Sequence, residues 1–464
     1  MKQLLLGILI ASLACLGARA GDRYFGADLS FANEMDDCGA VYRENGKPVD
    51  VYALFREHGA NLVRIRIWND ATWTKYSNLA DVKRSIRRAH AQGMQVLLDF
   101  HYSDDWADGD KQIIPAAWAG ITDPDALAKA LYQYTFDTLA SLDHDGLMPD
   151  MVQVGNEINR EMLGRADWTK DRPIDWTRNA KLLNAAIKAV RDAGAKSKIA
   201  PKVMIHIAQP ENVEPWFAAA KQAGVTDFDV IGISYYSKWS HETLAGLGAT
   251  IDRLRYRYPQ AEVMVVETGY PWTLRYADTT PNALGADAVL PQYGASPEGQ
   301  SQFLTDLTQM VISSGGVGVV TWAPDWVSTT CRTRWGTGSG WENATFFDFT
   351  HDDEVLPGID YMRHAYNWPV SVTFRFHGPA APPGRPYYLW GDFLGSREFA
   401  VRLPANGEYT TALMPGQKIR FQLFDGIQLH ARLLSGAKVV DGFATETIPS
   451  QDATLDYDLT APPQ

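Results

Sequence analysis

Eight short apolar runs, each closing on a polar or aromatic residue and separated by longer segments, constrain this chain more than any other feature. They are Phe25–Leu29, Leu62–Trp68, Gln95–His101, Met151–Asn156, Val203–Ala208, Val230–Tyr235, Glu262–Glu267 and Val317–Trp322. Between them, segments such as Asp81–Gln92, Pro124–Leu142, Trp176–Ala193 and Gly299–Ser314 space their apolar residues as a helix does. Strands alternating with helices predict an α/β fold with a parallel sheet. Eight such units over about 340 residues predict a (β/α)8 TIM barrel with long loops.

Site residues of such a barrel stand at the C-terminal ends of its strands. There this sequence places Asp28, Arg64, Arg66, His101, Asn156, Glu157, His206, Tyr235, Glu267 and Trp322. A doubly wound dinucleotide-binding sheet would need a G-x-G-x-x-G turn after the first strand, and none occurs there. Gly336-Thr337-Gly338-Ser339-Gly340 follows the last strand and opens no helix, so it reads as a loop.

After Trp368 the texture changes. Val370-Ser371-Val372-Thr373-Phe374-Arg375-Phe376 and Lys418-Ile419-Arg420-Phe421-Gln422-Leu423 alternate with a period of two, and Gly378–Pro386 is rich in turn formers. Residues 369–464 are therefore expected to form a C-terminal all-β sandwich domain beside a catalytic barrel at 21–368. Tyr387, Tyr388, Trp390 and Phe393 are expected in the sandwich core or its seam with the barrel, with a sugar-stacking platform as the alternative.

Residues 1–20 combine Lys2, an apolar run from Leu4 to Leu16 and the small-x-small sequence Ala18-Arg19-Ala20, which predicts a secretory signal peptide. Cleavage would take the net charge from −12 to −14 by removing Lys2 and Arg19. Cys15 offers a lipid anchor as the minority alternative, weakened by Ser12 where an aliphatic residue belongs. No run is long enough for a transmembrane helix. The protein is expected to be exported, to the periplasm or beyond, and to act as a monomer. Loss of Cys15 leaves Cys38 and Cys331, an even pair in an exported protein. They follow the first and last strands, neighbours in a closed barrel, so a Cys38–Cys331 disulfide is expected; two free thiols are the alternative.

Acidic residues exceed basic ones by 55 to 43, which excludes a nucleic-acid partner. No metal or other cofactor is expected: His241-Glu242 lacks a second His four residues on, where Ala245 stands. The decisive pair is Glu157 in Val154-Gly155-Asn156-Glu157 and Glu267 in Val263-Met264-Val265-Val266-Glu267. They close the fourth and seventh strands, across the barrel mouth from each other. Two carboxyls facing one cleft are what glycoside hydrolysis requires, one to protonate the leaving oxygen and one to attack or to activate water.

With Arg64, His101 and Trp322, this pair resembles the retaining 4/7 barrel clan of glycoside hydrolases. Gly26-Ala27-Asp28-Leu29-Ser30, Asn33-Glu34-Met35, Arg64-Ile65-Arg66-Ile67-Trp68, Asp99-Phe100-His101-Tyr102-Ser103-Asp104-Asp105-Trp106 and Trp341-Glu342-Asn343 resemble glycoside hydrolase family 53, the arabinogalactan endo-β-1,4-galactanases. The resemblance implies endo-hydrolysis of a neutral galactan with Glu157 as acid/base and Glu267 as nucleophile. Another β-1,4-glycanase of the clan, a mannanase or glucanase, is the alternative within enzymes; a non-catalytic carbohydrate-binding surface protein is the alternative outside them. In this frame Asn156 meets the sugar 2-hydroxyl, Arg64 and Tyr235 hold Glu267 ionised, and Trp322 stacks on the ring. Asp104, Trp106 and Trp341 wall the cleft, His101 and His206 order the network, and Asn343, inside the sequon Asn343-Ala344-Thr345, is substrate-side or loop-ordering. Some bacterial relatives bind calcium after the seventh strand. Here Tyr270–Asp278 has too few alternating oxygen ligands, so none is expected there.

Overall fold

The computed structural model describes residues 23–459 except 170, 335, 379–380, 382–385, 395–399, 406, 426–429, 433, 436–437 and 441–442. The expected export signal, with Cys15, lies outside the described residues. Eight parallel strands close into a barrel: β1 (Tyr24–Asp28), β2 (Leu62–Ile67), β3 (Gln95–Phe100), β4 (Met151–Val154), β5 (Lys202–Ala208), β6 (Val230–Tyr235), β7 (Glu262–Thr268) and β8 (Gly318–Thr321). Each pairs with its neighbours in sequence, and β8 closes on β1 with Phe25 opposite Val319.

Outside lie α1 (Val51–Glu57), α2 (Leu79–Ala91), α3 (Pro124–His144), α4 (Trp176–Gly194), α5 (Pro210–Gln222), α6 (Leu244–Arg257) and α7 (Pro297–Ser313). Six of these begin on an Asp, Asn, Ser or Thr whose side chain accepts a first-turn backbone N–H: Asp50, Asn78, Asp123, Asp175, Thr243 and Ser296. The exception is α5, which begins on Gln209 at φ +58° with no side-chain cap. The eighth position, expected to be helical like the others, holds a 3-10 turn at Pro357–Arg363 packed on α7.

The period of two along the strands divides the side chains into two sets. Val63, Ile65, Val96, Leu98, Val203, Ile205, Val263 and Val265 belong to the outer layer shared with the helices. Tyr24, Leu62, Leu97, Met151, Met204, Val230, Met264 and Val320 belong to a separate cluster that plugs the lower barrel interior. Gly232 makes room in this plug, since a Cβ there would lie 2.8 Å from Met204 Sδ and 2.9 Å from Val266 Cγ1.

The C-terminal region forms two sheets. One orders Glu408–Leu413, Val370–His377, Ala453–Leu459 and Leu434–Ser435; the other is built around Tyr387–Gly391, Lys418–Asp425 and Phe443–Thr447. Val372, Phe374 and Tyr457 of the first share one core with Leu389, Phe421 and Ala444 of the second, the sandwich expected from the alternation. Tyr387 belongs to that core, Phe393 stacks on Phe374 at 5.6 Å, and Trp390 meets Phe443 edge-on at 5.8 Å. Tyr387 and Phe393 thus pack in or against the sandwich core, while Trp390 and Phe443, one residue out of phase with the core-facing Leu389 and Ala444, meet on the other face of their sheet. The seam with the barrel includes Tyr256 of α6, whose hydroxyl donates to the Arg402 carbonyl at 2.9 Å and whose ring meets Tyr409.

The Cys38–Cys331 disulfide is present, joining the loops after β1 and β8 across a sequence separation of 293. No helix among the described residues is long and apolar enough to cross a membrane.

Candidate active site

Above the apolar plug the same inward-facing positions turn polar. Arg64 follows Leu62, Asp99 follows Leu97, Gln153 follows Met151 and His206 follows Met204, each two residues further up its strand. Arg64 uses all its N–H groups. Nε donates to Gln153 Oε1 at 3.2 Å; Nη1 to Asp28 Oδ2 and to Glu267 Oε2, both at 2.9 Å; Nη2 to Asp99 Oδ2 at 2.8 Å and to Asn156 Oδ1 at 2.6 Å. Burial opposes the Arg64 charge, but three carboxylates prevail and raise its pKa. Asp99 is pushed up by burial and pulled further down by Arg64 and His101, ending below the usual carboxylate range.

Both glutamates are aimed by local irregularities. In β7 the register slips, with Ile233 opposite Val265 but Ser234 opposite Glu267. The extra residue, Val266, is a β-bulge that turns Glu267 inward although Val263 and Val265 face the helices. After β4 the chain turns through Gly155 at φ +94° and Glu157 at φ +44°. A Cβ at 155 would also lie 2.6 Å from Ile158 Cγ2, so glycine is needed on both grounds. The strained Glu157 backbone points its side chain at the cleft, as positive-φ residues at functional sites do.

Glu157 Oε1 accepts from Ser234 Oγ at 2.5 Å and Oε2 accepts from Gly109 N at 3.1 Å. Glu267 Oε1 accepts from the Tyr236 hydroxyl at 3.1 Å, and its Oε2 holds Arg64. One oxygen of each carboxyl and a ring nitrogen of His206 lie within 4.8 Å of one another. An approach this close is what a retaining pair, with its carboxyl groups about 5–5.5 Å apart, calls for. Burial pushes both carboxyls up; at Glu267 Arg64 pulls the other way and the Glu157 charge pushes up again. Two charges so close resist coexisting, so the first negative charge settles on Glu267, the carboxyl bonded to a guanidinium, and the remaining proton on Glu157. Asp108 raises Glu157 further.

His206 is fully buried, its Nε2 2.7 Å from Ser234 Oγ and its Nδ1 3.0 Å from Asn156 Oδ1; burial and then Arg64 hold it far below its usual pKa, hence neutral. Glu157, His206 and Glu267 are a conceivable metal triad. Their atoms already have partners: Arg64 holds Glu267, Ser234 and Gly109 hold Glu157, and both His206 nitrogens are engaged.

The pair sits in an open cleft of about 980 Å³. Trp106, Trp322 and Trp341 line it as expected, Trp341 meeting Trp322 edge-on at 4.7 Å with only 1% of its own surface exposed. Asn156 lines it as expected, while Arg64, His101 and His206 lie behind the surface and act through other residues. His101 supports Asp99 at 3.0 Å and accepts from Ala107 N.

Three expected positions are corrected. Tyr235 does not reach Glu267: its side chain packs in the outer core and its hydroxyl donates to the Glu242 carbonyl, while Tyr236 makes the expected bond. Asp104 accepts from Asp70 N and Ala116 N, ordering its loop away from the cleft. Asn343 is buried and donates to the carbonyls of Thr273 and Leu284, so it is loop-ordering and not substrate-side. The contributions of Asp99, Gln153, Ser234 and Tyr236 to the site were not anticipated. Strand parity was the available signal, because 230, 232 and 234 face inward on β6 and 236 continues their phase.

Comparison with known proteins matches this geometry to one family. The model of glycosyl hydrolase family 53 matches residues 24–362. The chain is 52% identical over 360 residues to an arabinogalactan endo-beta-1,4-galactanase of Cellvibrio japonicus, covering 77% of this chain and 96% of that one. It is 34% identical to an endo-beta-1,4-galactanase of Bacillus subtilis, over 71% of this chain and 78% of the relative. Among solved structures, the Ignisphaera aggregans GH53 catalytic domain superposes with a TM-score of 0.67 at 34% identity, covering 74% of this chain and 96% of that domain. The chain belongs to glycosyl hydrolase family 53.

Proposed function

We propose that this protein hydrolyses internal β-1,4-galactosidic bonds of (arabino)galactan side chains with net retention, through Glu157 as acid/base and Glu267 as nucleophile. The observation that carries the reading is the arginine-held Glu267 with one oxygen within 4.8 Å of an oxygen of Glu157, whose own hydrogen bonds come from Ser234 and Gly109, at the floor of the cleft. The galactanase names of the Cellvibrio and Bacillus relatives support the choice of polymer.

Glu267 attacks the anomeric carbon while Glu157 gives its proton to the departing oxygen, leaving a galactosyl group on the Glu267 carboxylate. Glu157, now charged, takes a proton from water as that water attacks the same carbon, and the Glu267 carboxylate leaves. Asn156 Nδ2 donates one hydrogen to the Ala107 carbonyl at 2.8 Å and has a second for the sugar 2-hydroxyl. Trp322 offers its face to the ring. Residues 21–368 are the catalytic unit in this reading, residues 369–464 an accessory domain, and residues 1–20 direct export.

Glu157→Gln and Glu267→Gln should each lower the release of reducing ends from galactan by about 10³-fold or more without loss of thermal stability. Activity persisting in both variants overturns the site assignment. A wild-type enzyme that cleaves mannan or β-glucan faster than galactan overturns the substrate.

A further inference from the structure

The cleft does not end at the two glutamates. From the Trp322 wall just after β8 it crosses the mouth and continues over one face of α5 and its N-cap, where Gln209, Asn212, Trp216 and Ala219 recur at helical spacing as lining residues. In a reaction of the kind proposed above, on which this inference rests, the acid delivers its proton to the leaving oxygen. The departing part of the chain therefore lies on the Glu157 side, and α5, following β5 next to β4, flanks that side.

The polar groups there have a fixed orientation. The Ala208 carbonyl can only accept, so the Asn212 atom 3.0 Å from it is the amide nitrogen, and Asn212 Oδ1 faces away. The same Asn212 nitrogen donates to Gln209 Oε1 at 3.2 Å, which turns the Gln209 amide nitrogen outward. An acceptor and a donor thus stand side by side on the cleft wall, a match for vicinal sugar hydroxyls. Gln209 sits at φ +58°, a conformation that costs about 1–3 kcal/mol and persists only where the surroundings enforce it. What enforces it is the acid's own support: Gln209 N donates at 3.0 Å to the carbonyl of Ser234, whose hydroxyl holds Glu157. Behind the amides, Trp176 and Trp216 meet edge-on at 5.3 Å and give the groove an apolar floor.

We propose that Gln209 and Asn212 form a specificity-determining amide pair that reads the hydroxyls of the leaving-group galactosyl unit. The pair makes cleavage favour sites with sugar on both sides of the bond.

The test compares kcat/KM for β-1,4-galactan with that for a nitrophenyl β-1,4-galactobioside, which carries no sugar on the leaving-group side. In Asn212→Ala and in Gln209→Ala the galactan-to-aryl-glycoside ratio should fall about tenfold relative to wild type. Asn212 is exposed, so Asn212→Ala keeps the test open should Gln209→Ala disturb folding. An unchanged ratio, whether both rates fall together or neither falls, overturns the proposal. Wild-type protein inactive on both substrates overturns the galactanase reading instead, and this inference with it, before any variant is made.

Discussion

The two ends of the barrel interior are built from the same strands and the same inward phase, yet they have opposite chemistry. The lower end is the plug of Leu62, Leu97, Met151, Met204, Val230, Met264 and Val320, apolar atoms with nothing to satisfy. Two residues further up the strands, Arg64, Asp99, Gln153 and His206 replace that plug with charges and amides that each need several partners. The lower end stabilises by burying area and tolerates a change of shape at a cost proportional to volume. The upper end contributes little net stability and is sensitive to the loss of any one partner, because a buried charge left alone is expensive. In the function proposed above, what it gives is a nucleophile held charged beside an acid held neutral.

Arg64→Met breaks this contrast most severely. It leaves Asp28, Asp99 and Glu267 buried without their shared cation, and should destabilise by about 3–5 kcal/mol while abolishing turnover. The pH dependence has a definite sign. Arg64 is what lowers Asp99 and Glu267, so in its absence both take up protons more readily in the folded than in the unfolded state. Stability then falls as pH rises through the carboxylate range, so the deficit is smallest in acid and largest near neutrality. Denaturant unfolding at acid and neutral pH reads it; a deficit independent of pH would show that the cluster is not electrostatically coupled.

At the lower end, Met264→Ala should cost about 2–5 kcal/mol through a cavity in the plug, with kcat/KM of the folded enzyme within about twofold of wild type. A large loss of activity in that variant would mean that the plug sets the geometry of the layer above it.

Tyr236→Phe tests how finely the upper layer is tuned. Loss of its bond to Glu267 should lower kcat by about tenfold to a hundredfold, the worth of a hydrogen bond to a charged group. Tyr235→Phe, one residue earlier, should change kcat by less than about twofold, since its hydroxyl meets only the Glu242 carbonyl.

That pair of tyrosines shows what could be read from the chain before folding and what could not. The strands were legible because an apolar run bounded by polar residues has one buried explanation in a barrel. Glu157 and Glu267 were legible because a carboxylate closing such a run is chemically conspicuous. Tyr235 was chosen for ending its run, but parity along β6 points to Ser234 and Tyr236, and the phase is the stronger guide wherever a strand is regular. Parity would have failed for Glu267, which shares its phase with the outward Val263 and Val265 and faces the cleft only through the bulge at Val266. A bulge depends on pairing across strands and leaves no mark in either sequence. Asp104 was placed at the cleft, and Asn343 either there or as a loop-ordering residue, because they belong to motifs rich in site residues. Their side chains instead tie separate loop segments together through backbone groups of Asp70, Ala116, Thr273 and Leu284, a role set by contacts distant in sequence.

Asp108→Asn has the smallest effect and addresses the upper layer without touching either catalytic carboxyl. Burial is the main reason Glu157 holds its proton, and the Asp108 charge adds to it, while Ser234 and Gly109 pull the other way. Removing the Asp108 charge leaves Glu157 more acidic, so the acid loses its proton at a lower pH. The alkaline limb of kcat/KM should therefore move toward lower pH. The acid limb, which reports the ionisation of Glu267, should stay nearer its place, because Asp108 is not among the main charges acting on that carboxyl. A limb that moved the opposite way, or both limbs moving together, would mean that the two carboxyls titrate as one unit and that the guanidinium of Arg64 does not by itself decide which of them keeps the proton.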